Sequence, residues 1–278
     1  MPRSSRSNSP FRYPGGKFYA RRLILREIPD HTIYCEPFAG GASVYFAKPQ
    51  VPTNILNDYD EDVINTLIQI RDRVEDLIGL LDGVPATKEK HDWFKNHYKP
   101  TCDLTRAFRW FYLNRTSYSG IMRRENCYWG YGKKYSMPPE NWLPHLRTVS
   151  DRLQGVELTA LDFEDAIDAL PTGAFAFVDP PYFAADQQKF YNCIFHRADH
   201  DRLMECLRRN ADRIRFLLTY DDHAKVRAMY AWARAINSRG WNYTINRTDD
   251  QRNGTKLRDG FKGTRGKGRE LFIRNYDS

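Results

Sequence analysis

The chain has 278 residues, enough for one or two domains, and its 41% hydrophobic content can fill a sizeable core. A formal net charge of +8 and an isoelectric point of about 9.2 point to a polyanionic partner. No apolar run reaches the ~18 residues of a membrane span, the Arg/Ser-rich start lacks the apolar core of a signal peptide, and the five scattered cysteines form no Cys-x-x-Cys pair. These features set aside a membrane protein, a disulfide scaffold and a cysteine metal site, and leave a soluble cytoplasmic protein with reduced thiols and no metal as the expectation.

Residues 1–10 read as a disordered tail. The run Phe11-Arg12-Tyr13-Pro14-Gly15-Gly16-Lys17 precedes a helical pattern with Tyr19, Leu23, Ile24 and Ile28 on one face. A Gly-Gly pair before a helix lets backbone approach a ligand closely, and Tyr13 and Lys17 beside it favour a binding loop over an ordinary turn. Residues 32–36 read as a short strand, Pro37-Phe38-Ala39-Gly40-Gly41 as a tight turn and 42–47 as a helix. This is the nucleotide-binding corner of a doubly wound sheet. It carries neither Gly-x-Gly-x-x-Gly nor Gly-Lys-Ser/Thr, which argues against nicotinamide cofactors and ATP. A second strand, 54–58, ends in Asp58, where a carboxylate can accept from both ribose hydroxyls. Asp60 can cap the helix that follows, leaving Asp58 free for that role.

Between residues 62 and 149 the pattern changes. Val63, Leu67, Ile70, Val74, Leu77 and Leu81 predict one long amphipathic helix. Another helix, 104–113, carries Phe108, Phe111 and Tyr112, with Trp93 and Phe94 expected to join it in a core. The stretch 114–139 is polar, Gly-bearing and dense in cations and aromatics: Arg115, Tyr118, Arg123, Arg124, Tyr128, Trp129, Tyr131, Lys133 and Lys134 among them. It reads either as a solvated basic loop or as a DNA-contacting one, with cations for phosphates and guanine edges and an apolar wedge for a vacated stack.

The apolar run 174–178 predicts a buried parallel strand, and Asp179-Pro180-Pro181-Tyr182 ends it abruptly. Ligands of open α/β sheets lie just beyond such carboxyl ends. The tetrapeptide serves equally as a stiff strand-to-loop turn and as a site for a planar exocyclic amine. In the second reading Asp179 and the Pro180 carbonyl accept the two amine hydrogens and Tyr182 stacks on the heterocycle. Downstream, 199–210 predicts a helix whose first turn holds His200 and Asp201, and 215–220 a buried strand. A helix is expected from Asp221-Asp222 towards Tyr230, and 241–247 with 270–276 predict an antiparallel edge pair. The Gly/Arg/Lys-rich 248–268 is expected to lie against phosphate.

These motifs in this order resemble the alpha class of DNA adenine N6-methyltransferases, the Dam family: Arg12 to Lys17, Glu36-Pro37-Phe38-Ala39-Gly40-Gly41-Ala42-Ser43, Asp58, Asn114 to Ile121, and Asp179 to Tyr182. The resemblance covers most of the chain. It implies an α/β, Rossmann-like fold that uses S-adenosyl-L-methionine and yields S-adenosyl-L-homocysteine, with an inserted, mainly helical target-recognition domain. The catalytic domain would be 11–61 plus 150–278, and the insertion 62–149. It implies cofactor contacts from Tyr13, Lys17, Glu36, Pro37, Phe38, Gly40, Gly41, Asp58, Asp162, Phe163 and Asp179. Catalysis would fall to Asp179, Pro180, Pro181 and Tyr182. DNA contacts would come from Arg115, Tyr118, Ser119, Ile121, Arg123 and Arg124, with Lys133 and Lys134 near phosphate, and 183–196 would close over a flipped base. Double-stranded DNA is the implied partner, a cognate restriction endonuclease an admissible one, and a monomer the usual state. Ser119 stands where GATC-methylating relatives tend to have Asn, and 128–134 departs from them as well, so no GATC target is carried over. Cytosine N4 methylation, an RNA substrate and a DNA-binding protein on a degenerate scaffold are the competing readings.

Overall fold

In the computed structural model, residues 8–132, 136–183, 192–242 and 267–277 are described. Seven strands form one sheet in the order β3-β2-β1-β4-β5-β7-β6. They are β1 Ile33–Glu36, β2 Thr53–Asn57, β3 Val156–Thr159, β4 Phe175–Val178, β5 Arg215–Asp221, β6 Ala235–Asn242 and β7 Lys267–Arg274. Every pairing from β3 to β5 is parallel, while β7 runs antiparallel to β5 and β6 antiparallel to β7. The helices are α1 Arg21–Glu27, α2 Ser43–Ala47, α3 Glu61–Asp72, α4 Val74–Leu81, α5 Lys88–Asn96, α6 Asp103–Thr116, α7 Trp142–Leu153, α8 Phe163–Asp168, α9 Arg197–Asn210 and α10 Ala224–Met229.

Alternation along β4 explains the layering. Phe175 and Phe177 face one apolar cluster, shared with α2, α3, α4, α6 and α7, while Ala176 and Val178 face another, shared with α8, α9 and α10. With both faces covered, β4 is buried along its whole length. The first cluster runs without interruption from the sheet into the helices of the middle region, through Leu67, Phe111, Trp142 and Leu146.

Chain order β2-β1-β4 reverses direction at β1, which makes the gap between the ends of β1 and β4 the topological switch point. The two strands are parallel neighbours, with Tyr34 opposite Phe175 and Cys35 opposite Ala176. The Pro37–Gly41 turn and Asp179–Tyr182 therefore leave the sheet side by side at the same edge.

Several expectations need correction. The single long helix is two, α3 and α4, broken at Arg73 (φ −138°, ψ 39°); the break turns Leu77, Ile78 and Leu81 of α4 inward, into the cluster shared with α6 and α7. Asp221 ends β5 rather than opening a helix, and α10 starts later, with His223 as its cap. The edge pair includes β6 from Ala235, well before Trp241, because main-chain pairing with β7 sets its extent rather than apolar alternation. Trp93 is 41% exposed and lies under the Lys90 ammonium, whereas Phe94 is core. The helix α7 has no counterpart in the sequence expectations. Its Leu146, Val149 and Leu153 follow helical spacing, and Pro144 is tolerated in the first turn.

Candidate functional site

The carboxyl edge of the sheet is tied together by Asn57, the last residue of β2. Its amide donates to Pro37 O (3.0 Å) and Leu161 O (3.0 Å), and its carbonyl accepts from Thr159 Oγ1 (2.8 Å) and Leu161 N (2.8 Å). One buried amide thus fixes the loops after β1 and β3. In the turn after β1, Gly40 (φ +46°) needs its missing side chain twice over. An L residue rarely takes that φ, and a Cβ would come 2.8 Å from the Tyr13 ring. The Tyr13 ring covers the Gly40 turn. Ala42 also lies in the left-handed region (φ 48°), at the point where α2 begins.

Glu36 is buried at the end of β1 and accepts from Tyr34 Oη (2.8 Å) and Tyr45 N (2.7 Å) at the start of α2. Burial pushes its carboxyl up to about 8 despite those bonds, and nearby Asp179 pushes the same way. Asp58 is not free as the sequence suggested. Its Oδ2 accepts from Gly40 N (2.7 Å) and its Oδ1 from Asp60 N (2.9 Å), while burial raises it to about 6. Asp60 caps α3 through Asp62 N, as expected. Phe38 stacks on Phe163 at 5.5 Å, and Asp162 caps α8 and pairs with Arg202 at 2.9 Å.

At the end of β4, Asp179 Oδ1 accepts from Thr219 Oγ1 (2.7 Å) and pairs with Lys17 Nζ (2.6 Å). No described residue bonds Oδ2. Pro180 is buried, and Pro181 and Tyr182 are half-buried. The Lys17 ammonium lies 4.8 Å from the Tyr182 ring centre and 3.9 Å from Glu270 Oε2 on β7. Burial opposes the charge on Lys17, but Asp179 and Glu270 outweigh it and raise its pKa. Beneath Tyr182, His200 meets the Tyr220 hydroxyl at 2.5 Å; it is buried near the start of α9.

The middle region is stitched to this edge through one loop. Asn114, fully buried in α6, accepts from Arg12 N (2.9 Å) and donates to Arg12 O (2.8 Å), and Arg12 Nη1 donates to Ser117 O (3.1 Å). A Cβ on Gly120 (φ +72°) would fall 2.0 Å from Arg12 O. Ser119 has φ 54°, unusual for a non-glycine residue, in a turn that leaves Tyr118 42% exposed. A shallow cleft lined by Tyr13, Asp60, Gly120 and Met122 joins the two parts. Arg124 is exposed, and half-exposed Arg123 pairs with Glu125 at 3.1 Å. Arg115 and Ile121 are buried instead. Arg115 donates to Pro10 O (3.4 Å), and burial lowers its pKa to about 10. Lys133 and Lys134 lie outside the described residues, as do most of 183–196 and of 248–268.

Sequence reasoning missed Asn57, Asn114, Thr219 and Glu270, and the exposed Tyr59 and Leu161 beside Asp58 and Asp162. A polar residue near the carboxyl end of an apolar strand was the available signal for Thr219, whereas Glu270, in mid-strand beside Arg269, carried none.

Residues 13–245 match the family model of D12 class N6 adenine-specific DNA methyltransferases. The chain belongs to that family, and with it come the methyltransferase fold, adenine-specific methylation of DNA and dependence on S-adenosyl-L-methionine. The chain is similar to the DNA N-6-adenine-methyltransferase of Escherichia phage P1, with 30% identity over 65% of this chain, a match spanning only 25% of that longer protein. It is also similar to the type II methyltransferase M1.LlaDCHI of Lactococcus lactis subsp. cremoris (25% identity, 72% of this chain, 76% of the relative). The DNA adenine methylase of Escherichia coli K12 is 27% identical over 62% of this chain and 63% of its own length. No described helix is long and apolar enough to cross a membrane, and no described group of three or more His, Cys, Asp or Glu could hold a metal ion.

Proposed function

We propose that the chain methylates N6 of an adenine flipped out of double-stranded DNA, in a crevice between the tips of β1 and β4. The observation that carries this reading is the adjacency of the Gly40-Gly41 turn and Asp179 at the switch point. S-adenosyl-L-methionine supplies an activated methyl group on a sulfonium, so positioning is the main task left to the protein. The residues present fit that cofactor. The Tyr13 ring, packed where a Gly40 side chain would lie, offers an aromatic wall to the cofactor, Glu36 offers a carboxyl to the methionine ammonium, and the ribose can share Asp58 with Gly40 N. Pro37 and Phe38 line the turn, while Asp162 and Phe163, with Tyr59 and Leu161, flank the adenosine end.

Lys17 and Thr219 anchor Asp179 Oδ1, which leaves Oδ2 and the Pro180 carbonyl to accept the two hydrogens of the target amine. Pro181 stiffens the turn and Tyr182 supplies the stacking face. Flipping costs a few kcal/mol, offset by that stacking and the two hydrogen bonds. The described recognition surface is Tyr118, Ser119, Arg123 and Arg124, with Arg115 and Ile121 supporting the turn from within; Lys133 and Lys134 would add phosphate contacts. The insertion, 62–149, acts as the recognition domain of a cytoplasmic, monomeric enzyme that needs no metal, and a cognate endonuclease is an admissible partner in view of the type II relative.

Methylome sequencing of cells expressing the wild-type chain or Asp179→Ala tests this. N6-methyladenine in one sequence context, absent from the variant while purified variant still binds DNA, is the expected result. N4-methylcytosine, or full methylation by the variant, contradicts it.

A further inference from the structure

We propose that Glu270 lets this site distinguish its charged methyl donor from its uncharged product, favouring the sulfonium of S-adenosyl-L-methionine over the thioether of S-adenosyl-L-homocysteine. The proposal rests on the site reading above. Glu270 is fully buried on β7, opposite Asp221 at the carboxyl end of β5, and so reaches the same edge as Asp179. Lys17 Nζ lies between the two acids, 2.6 Å from Asp179 Oδ1 and 3.9 Å from Glu270 Oε2. A carboxylate, an ammonium and a second carboxylate therefore run inward from the methyl-accepting position.

During transfer the carbon–sulfur bond breaks with its electron pair remaining on sulfur. The amine lone pair forms the new carbon–nitrogen bond, and one amine proton is released to solvent. The bound cofactor thus loses one unit of positive charge. A fixed negative charge close by stabilises the sulfonium and does nothing comparable for the thioether. Coulomb energies add, so the part due to Glu270 holds whatever else that carboxylate touches. The sulfonium must come within a methyl group of the nitrogen that Asp179 holds, which brings it into the same water-poor space. Lys17 acts in the opposite sense there, and Glu36 faces the methionine end from β1. Product release gains from the arrangement, because the spent cofactor no longer feels the attraction that favoured its precursor.

Calorimetric titration of the full chain with each cofactor separately, without DNA, tests the idea. The ratio of the two dissociation constants, homocysteine form over methionine form, should fall about tenfold in Glu270→Gln, the size of a charge pair at this range in a protein-like dielectric. Glu270→Asp should keep most of the ratio, and Lys17→Gln should raise it. A merely structural role weakens both cofactors alike and leaves the ratio unmoved, so an unchanged ratio in a folded Glu270→Gln protein overturns the proposal while the site reading stands. If that variant does not fold, Glu270→Ala and Glu270→Ser are titrated in its place: a fallen ratio in a folded variant supports the proposal and an unmoved one overturns it. A wild-type chain that binds neither cofactor removes the site reading itself, and the proposal with it.

Discussion

At the ends of β1 and β4 the functional groups are held from behind by the sheet, whereas between α6 and α7 they are held by another loop. Glu36 and Asp179 end parallel strands whose register is fixed by main-chain hydrogen bonds. The Tyr118–Gly120 turn is held by the backbone of Arg12, through Asn114 and the close approach at Gly120. Arg12 adjoins Tyr13, whose ring lies on Gly40. The comparison teaches that the cofactor corner can form from the sheet alone, while the recognition turn takes its position from the cofactor loop.

Substitutions at the two glycines should break this comparison most sharply. Gly40→Ala places a methyl against Tyr13, and Gly120→Ala places one on the Arg12 carbonyl, each at a positive φ costing about 1–3 kcal/mol before the clash is counted. Gly40→Ala is expected to remove cofactor binding and, by displacing Tyr13 and with it Arg12, to weaken DNA binding to a lesser degree. Gly120→Ala should weaken both, because Arg12 and Tyr13 move together. Paired titrations with cofactor and with duplex DNA read the difference, and an unperturbed cofactor affinity in Gly120→Ala would show that the loops are independent.

A smaller effect should appear with pH. The Glu36 carboxyl sits at about 8 without cofactor, and the ionised form is the one that suits an ammonium. Cofactor affinity should therefore rise as pH increases from about 6.5 towards 8 and level off above it, by up to about tenfold per pH unit. Glu36→Gln should bind weakly with a flat profile. The sign for folding is the reverse: an acid whose folded pKa is raised contributes stability below its unfolded pKa and loses it as pH climbs through about 8. An affinity that fell over this range would exclude Glu36 as the ammonium's partner.

The least effect is expected at the recognition surface. Exposed Arg124 should contribute one phosphate contact, so Arg124→Ala should reduce the logarithmic salt slope of DNA binding by about one and leave cofactor affinity alone. An unchanged slope would place DNA elsewhere.

The same contrast explains what could be read from the residues. The strands around 33–36, 53–57, 156–159 and 175–178 were legible almost to their ends: 175–178 is an apolar run closed by an acid and two prolines, 33–36 and 53–57 end at Glu36-Pro37 and Asp58, and 156–159 alternates apolar and polar residues. Strand tips then located Asp58 and Asp179 without side-chain knowledge, while Glu36 came with the family resemblance. The break at Arg73 was not legible, since the apolar spacing continues through it and only packing of α4 onto α6 and α7 demands a change of direction. Burial of Arg115 was hidden for a similar reason: its neighbours suggested a basic surface, yet its place in α6 turns it towards Pro10. Asn114 and Glu270 lie 102 and 253 residues from the positions they serve in Arg12 and Lys17 (114 − 12 and 270 − 17), and no local pattern announces such partners.

The most direct measurement is a crystal structure of the chain with S-adenosyl-L-homocysteine and a duplex carrying its methylation site. The account predicts an extruded adenine whose N6 lies within hydrogen-bond distance of Asp179 Oδ2 and the Pro180 carbonyl, facing the cofactor sulfur across one continuous space above Gly40. A cofactor at the Gly40-Gly41 turn separated by protein from Asp179, or a target base seated away from Tyr182, would contradict it.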